Sequence, residues 1–524
     1  MTLLEVFLSI FAEMSLFTKH NQSDEGRSTE NDVRRSPSPL VSIVPFAVLV
    51  TLLFFVIRFF GSSALDGASQ VSLVIAAAVA VAIGMLFYKR PWEDFEKAIM
   101  ENMRSISTGI VILLLIGAIS GTWMVSGIVP TLIVYGLKCL SPSVFLLACC
   151  LICALISVMT GSSWTTIATI GVALTGIGMA LGFQPGWTAG AIISGAYFGD
   201  KISPLSDTTV LASSTTSTPL FVHIKYMMVT TIPSFTIACI IFLTASLLHT
   251  SDAAVQTEGF TAALKSSYNI SPWLLIVPVF TGILIARKVP ALITLTLSAI
   301  AAGIAALIAQ PGIIAEIGGG GADAFRSGFK GLCTIFYGET AIATGNPDLD
   351  ELVRTGGMCG MLPTIFLIIC AAAFGGTLTG GGMIQSLTGA LTSRLRRRTP
   401  IVGSTVATGI FCNMVTGDQY LSIILGSSLY KALYKEKGLE SRLLSRTIED
   451  STTVTSVLIP WNSCGMTQST VLKIPTLEYL PYCFFNLISP LMSIFIAAIG
   501  YKIYSAASSS KDTPADSLES IGPA

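Results

Sequence analysis

The sequence predicts an all-α polytopic membrane protein made of two inverted-topology repeats, with broken helices and re-entrant hairpins. Three observations predict it. Only 11% of the 524 residues are Asp, Glu, Lys or Arg and 52% are apolar, where a soluble chain carries roughly a quarter charged residues. The charges leave long gaps, with none in 67–88, 105–137, 139–199, 226–251, 289–315, 355–393, 451–472 or 479–501. Three short motifs also recur in the same order in the two halves of the chain.

A helical span needs about 20 apolar residues. The run 139–199 therefore holds two spans with a turn, and the gaps together imply roughly ten to thirteen passes or re-entrant pieces. A β-barrel is excluded, because Val71–Tyr88 and Phe145–Val158 show no alternation of apolar and polar residues. Thirty basic and thirty acidic residues cancel, which removes nucleic acid as a partner on charge grounds. The lipid bilayer is the expected environment.

Taken in order, residues 1–39 form a polar N-terminal extension. Its first 17 residues read as an amphipathic surface helix and not a secretory signal, since Glu5 and Glu13 interrupt the apolar run and the first basic residue is Lys19. Repeat 1 spans 40–248, a linker 249–272, repeat 2 273–504, and a Ser-rich tail 505–524. Gly121–Gly127 matches Gly376–Gly382 at an offset of 255, Thr160–Ile167 matches Thr416–Ile423 at 256, and Asp207–Val210 matches Ser451–Val454 at 244. Arg27, Arg34 and Arg35 before the first span, with Lys89 and Arg90 after the second, place the N-terminus in the cytoplasm. Arg287-Lys288 between the first spans of repeat 2, and Arg394, Arg396, Arg397 and Arg398 further on, reverse the pattern. Inverted repeats of this kind belong to secondary transporters.

The duplicated regions are also where helices should break. Gly199-Asp200-Lys201-Ile202-Ser203-Pro204-Leu205-Ser206-Asp207-Thr208-Thr209 puts Pro and small hydroxyl residues into an apolar context, and Glu449–Thr453 leads into Ile459-Pro460-Trp461-Asn462. Unwound backbone at membrane depth is tolerated only where it lines a cavity or is buried in protein. Carbonyls and the hydroxyls of Thr208, Thr209, Ser451 and Thr452 then suit a hard cation such as Na+, with carboxylates in support.

Ionisable groups inside a membrane are functional candidates by default. Asp207 follows the 61-residue uncharged stretch, Asp418 is the sole charge between Arg398 and Lys431, and Glu449 and Asp450 are adjacent. Asp200 and Lys201 are expected to pair with each other or to sit at the mouth, with Ser203, Ser206, Thr160, Ser162, Thr416 and Gln419 in support. A carboxylate that holds either Na+ or H+ couples their exchange by competition. His20, His249 and His223 fall in the tail, at a span end and at the interface. Most of the eleven cysteines lie in apolar runs, and Cys150-x-x-Cys153 reads as helix packing. Gly117 to Gly121 and Gly171 to Gly178 read as close helix contacts.

GDKISPLSDTT at 199–209, TGSSWTT at 160–166, TGDQY at 416–420 and EDSTTVTSVLIPWNSCG at 449–465 closely resemble the NhaC-type Na+/H+ antiporters of the ion-transporter superfamily. The resemblance covers roughly 40–504. It implies a transporter and not an enzyme, without cofactors, exchanging Na+ or Li+ for H+ across the cell inner membrane by alternating access. On the matching positions it implies Asp207, Asp418, Glu449, Asp450 and Asn462 around the cation. The family also includes exchangers that pair Na+ and H+ with malate and lactate, so organic acids or amino acids stay open as cargo, as does a homodimer. A remote alternative, an intramembrane aspartyl protease, would use Asp200 and Asp418. Neither lies in a Gly-x-Gly-Asp context and no Tyr-Asp pair exists. No His-Glu-x-x-His occurs either.

Overall fold

The computed structural model describes residues 37–60, 67–249, 253–287, 289–320, 323–392 and 397–501. The surface helix expected over 1–17, the tail, and the markers Arg27, Arg34, Arg35, Lys288, Arg394 and Arg396 lie outside the described residues. Among the described residues the secondary structure is helical, apart from one isolated bridge between Thr340 and Thr355.

The first half runs through α1 (Pro39–Phe60), α2 (Ala68–Tyr88), α3 (Trp92–Val125), α4 (Ile128–Cys139), α5 (Phe145–Thr160), α6 (Ser163–Ala180), α7 (Pro185–Ile202), α8 (Asp207–Thr215) and α9 (Leu220–Leu248). The expected linker folds as a helix, α10 (Ala253–Ser267). Its residues 257–267 meet Pro272–Ala286, which ends in α11 (Ile276–Ala286), at a bend of 93°. The second half continues with α12 (Ala291–Ala309), α13 (Pro311–Ile317), α14 (Ala324–Tyr337), α15 (Pro347–Val353), α16 (Leu362–Gly380), α17 (Met383–Thr392), α18 (Arg398–Thr416), α19 (Gln419–Glu436), α20 (Ser441–Ile448), α21 (Ser463–Leu472), α22 (Thr476–Tyr479) and α23 (Phe484–Ile499).

Eight helices among the described residues are long and apolar enough to cross a membrane, or ten if each of two bent pairs is one span. Ten is the low end of the expected range, and eight falls below it. The polar helices α7 and α18 fall outside this group, because the Gly, Ser, Thr and charged residues that build the centre lower their hydropathy, and α20 is too short at eight residues. With 34 residues α3 is about 50 Å long at 1.5 Å per residue. Its first turns carry Glu93, Asp94, Glu96 and Lys97 beyond the apolar zone, and Arg90 sits 3.7 Å from Asp94.

Burial orders the bundle from rim to centre. The apolar window of α1 is 24% buried and that of α6 is 83% buried, so α1 is peripheral and α6 central. Phe54, Leu86, Leu155, Phe221, Ile240 and Ile308 are exposed apolar side chains on outer faces, as expected where lipid is the solvent. Inside, hydroxyl-rich helices pack by close backbone approach. A Cβ on Gly195 would lie 2.1 Å from the Cys150 carbonyl oxygen, and one on Gly199 2.5 Å from that of Ala154, so α7 lies directly against α5. Gly117 and Gly121 likewise bring α3 onto the carbonyls of Gly357 and Ile335. Gly117 and Gly121 serve close packing, as read from the sequence. All eleven cysteines are free.

Candidate functional site

Two helix breaks of the same construction lie at the centre. After α5, Gly161 takes φ +66° and Ser162 caps α6, its Oγ accepting from Thr165 N at 3.2 Å. After α18, Gly417 takes φ +66° and Asp418 caps α19, its carboxylate accepting from Leu421 N at 3.0 Å. Glycine adopts this left-handed conformation without the steric cost other residues incur. Thr160 Oγ1 accepts from Ser162 N at 3.1 Å and Thr416 Oγ1 from Asp418 N at 3.2 Å. Both threonines then meet the hydroxyl six residues on, Thr166 at 3.2 Å and Ser422 at 2.9 Å.

The second element of each half breaks in the same register. Pro204 separates α7 from α8, and Pro460 precedes α21. Ser206 caps α8, and Asn462 caps α21 by accepting from Cys464 N at 3.0 Å. A left-handed residue follows both short helices, Ser217 (φ +57°) two residues past α8 and Lys473 (φ +58°) directly after α21. Ser157 donates to the Ala196 carbonyl and Asn413 to that of Thr452, each at 2.6 Å. Every one of these pairs is 256 residues apart. The match of Asp207–Val210 with Ser451–Val454 is therefore corrected. Asp207 opens a helix after a break, whereas Ser451 lies inside the unbroken π-helical turn Glu449–Thr453. The residue in Asp207's place is Ser463, and its Oγ donates to Asp418 Oδ2 at 3.3 Å.

Asp200 is buried and does not pair with Lys201. Its Oδ2 accepts from Ser163 N at 3.1 Å and Ser163 Oγ at 2.7 Å, and its Oδ1 accepts from Ser206 Oγ at 2.6 Å. The Ser206 and Thr208 hydroxyls lie 3.0 Å apart, and Thr208 Oγ1 donates to Glu449 Oε1 at 3.2 Å. A continuous chain of two hydroxyls thus joins two buried carboxyl groups, one from each half of the sequence. The partner of Lys201 is Asp450. Lys201 Nζ donates to Asp450 Oδ1 and, at 3.0 Å, to Ser489 Oγ, while Thr230 Oγ1 reaches the same carboxylate oxygen at 3.1 Å. Lys201 and Asp450 are both inaccessible to solvent, so neither sits at a mouth.

A π-helical turn leaves carbonyls that the regular ladder does not bond. Here Asn413 binds the Thr452 carbonyl and Asn486 Nδ2 binds that of Val454 at 2.8 Å. The turn directs adjacent side chains apart, Glu449 to Thr208 and Asp450 to Lys201.

The model of the Na+/H+ antiporter family matches residues 3–217 and 195–501. The chain belongs to that family. The Na+/H+ antiporter NhaC of Bacillus subtilis is 35% identical over 423 residues, covering 80% of this chain and 90% of the relative. That of Alkalihalophilus pseudofirmus is 36% identical over 431 residues, covering 82% and 90%. A malate-2H+/Na+-lactate antiporter of Bacillus subtilis is 32% identical over 443 residues, covering 84% and 91%.

Within this antiporter-family chain the sequence candidates separate by burial and by hydrogen bonding. Asp200, Asp418, Glu449 and Asp450 are buried carboxyl groups, but Asp207 is exposed on the first turn of α8. Among the described residues no three His, Cys, Asp or Glu side chains converge as a metal cluster. Asn462 spends its amide on its cap and on the Asn413 carbonyl at 3.1 Å. Ser203 donates to the Val158 carbonyl, and Thr209 to that of Lys201. Ser451 and Thr452 bond back to the carbonyls of Thr447 and Ile448. Gln419 accepts from Ser456 Oγ at 3.4 Å, which mirrors Ser163 and Asp200 at the same 256-residue offset. Asp200 and Asp418 share no hydrogen bond and form no protease dyad.

Sequence reasoning missed Ser163, Thr230, Ser489 and above all Arg446, a guanidinium with no solvent exposure whose Nε lies 3.8 Å from Asp450 Oδ2. Its signal was the Arg-x-x-x-Asp spacing, which puts both side chains on one helix face. His223, read as interfacial, is buried and hydrogen-bonds Ser445 Oγ through Nδ1.

Proposed function

We propose that this multi-pass membrane protein exchanges Na+ or Li+ for H+ across the cytoplasmic membrane by alternating access, with an inverted relation between its halves and a cytoplasmic N-terminus. The observation that carries the reading is the hydroxyl chain from Asp200 through Ser206 and Thr208 to Glu449. Its three links need three hydrogens and its two hydroxyls supply two, since each hydroxyl donates once. The chain is complete only when one carboxyl group holds a proton. That proton passes between the ends by reversal of both hydroxyls.

A cation bound at the Glu449 end disfavours that proton, because positive charge stabilises the carboxylate. Na+ and H+ then compete for one set of oxygens, and the competition couples their fluxes. The Lys201–Asp450 ion pair joins elements of the two halves, so its opening is the natural event for a change of side. The names of the NhaC relatives support this cargo. A second reading, coupled exchange of organic acids or amino acids, is favoured by the relative named for malate and lactate.

Proteoliposomes holding the purified protein and a trapped pH dye test both. An imposed Na+ or Li+ gradient is expected to move protons. Proton movement driven by malate, lactate or an amino acid, and none by Na+ or Li+, would overturn the cation reading.

A further inference from the structure

Asp450 stands between two buried cations and uses only one of them fully. Its Oδ1 takes hydrogen bonds from Lys201, Thr230 and Ser489. Its Oδ2 takes none and faces Arg446 Nε at 3.8 Å. Arg446 is fully buried, and none of its three nitrogens has a hydrogen-bond partner. The Tyr226 ring, 4.9 Å from the guanidinium carbon, offsets part of its charge. It accepts none of the hydrogen bonds a guanidinium is built to donate. Buried polar groups are almost always satisfied, so this side chain is poised for an acceptor it does not hold in this state.

We propose that Arg446 is the alternate partner of Asp450, taking over the carboxylate when Lys201 releases it during the transport cycle. The two cations differ in where they are anchored. Lys201 ends α7 in the first half, so its pair with Asp450 must break if the halves move relative to one another. Arg446 stands on the last turn of α20, one turn before Asp450, and travels with it. The intervening π-helical turn starts at Glu449 and holds the pair just beyond hydrogen-bond distance. Restoring regular α spacing brings a same-face i, i+4 pair together. A carboxylate stripped of Lys201 without such a partner would be left as an uncompensated buried charge, which is strongly unfavourable. The handover removes that obstacle. Arg446 is thus a positioning residue that acts through Asp450, with no contact to the cation required.

The inference rests on the exchange reading for its transport arm only. Full-length protein carrying Lys201→Met, Arg446→Met or both is melted in detergent, in the native and the Asp450→Asn background. Redundant partners predict that the double variant loses more than the sum of the single losses, and that Asp450→Asn removes the excess. In proteoliposomes Arg446→Met is expected to lower the maximal Na+-driven rate about tenfold or more, while half-saturating Na+ changes less than about twofold. Arg446→Lys restores most of the rate. Additive melting losses, or a normal maximal rate in Arg446→Met, overturn the proposal. So does stabilisation of the wild type by malate, lactate or arginine that disappears in Arg446→Met, since the guanidinium would then hold cargo. If wild-type protein shows no Na+-driven flux, the exchange reading fails while the melting cycle still decides the handover.

Discussion

Ser162 and Asp418 occupy the same structural place, 256 residues apart, each capping the helix that follows a Thr-Gly break. The acid in the second break thus combines two features in one side chain, a backbone cap and a buried carboxyl group. Asn caps a helix as well as Asp does. Asp418→Asn is expected to leave a folded protein that carries no cation-driven proton flux. Asp418→Ala loses the cap as well, at about 1 kcal/mol. Melting and dye flux on the two variants separate the tasks, and wild-type flux in Asp418→Asn removes Asp418 from the cation pathway.

Thr208 joins the hydroxyl chain to Glu449. Thr208→Val keeps the shape and deletes the donor, so the chain is cut between its two carboxyl groups. Proton flux should fall at least about tenfold, whereas Thr208→Ser, which restores a hydroxyl, should retain most of it. Paired 22Na+ and pH-dye measurements check whether Na+ movement falls with it or becomes uncoupled.

Competition between Na+ and H+ fixes the sign of the pH dependence. A protonated carboxyl group holds a cation poorly, so acidification should raise half-saturating Na+, approaching tenfold per pH unit where one proton competes. Alkalinisation should lower it until the proton no longer competes. Na+ titrations of flux at several pH values, with equal pH on both faces at the start, give the slope. Glu449→Gln is expected to flatten it.

Gly161 takes φ +66°, and a Cβ there would lie 2.6 Å from the Leu205 carbonyl carbon. Gly161→Ala meets both a disfavoured backbone conformation and a clash with a main chain that cannot rotate away. The expected loss is about 1 to 3 kcal/mol, read as a lowered melting temperature in detergent. Gly389→Ala, with open space around it, is the control that should melt near the wild type.

Much of this arrangement was legible from residue types alone. Pro204, Pro460 and the two Thr-Gly pairs mark the breaks because proline and left-handed glycine act locally. The repeat register was misread at Asp207 because a Thr-Thr-Val triplet recurs twelve residues from the structural match, within Ser451–Val454. Asp207 was a candidate because it follows a long uncharged run within a broken segment, yet its side chain is exposed on the first turn of α8. The Lys201–Asp450 pair joins residues 249 apart in sequence, and no spacing rule reaches that far. Ser163 lies in the hydroxyl-rich TGSSWTT, Thr230 beside Thr231, and Ser489 alone in an apolar run, and residue type does not distinguish a ligand from a packed side chain at any of the three. Arg446 follows Glu440 and Arg442 in one run of charges, and beyond its Arg-x-x-x-Asp spacing only its complete burial singles it out.

The glycine contacts of α7 on α5 have a mechanical meaning. With carbonyl oxygens where Gly195 and Gly199 would carry a Cβ, these two helices have no slack and form one stiff beam. Compliance is then concentrated in the polar seam, where Lys201 meets Asp450 and Thr208 meets Glu449. Spectroscopic label pairs along the beam should report one narrow distance whatever ion is supplied. Pairs placed across the seam should report the stroke.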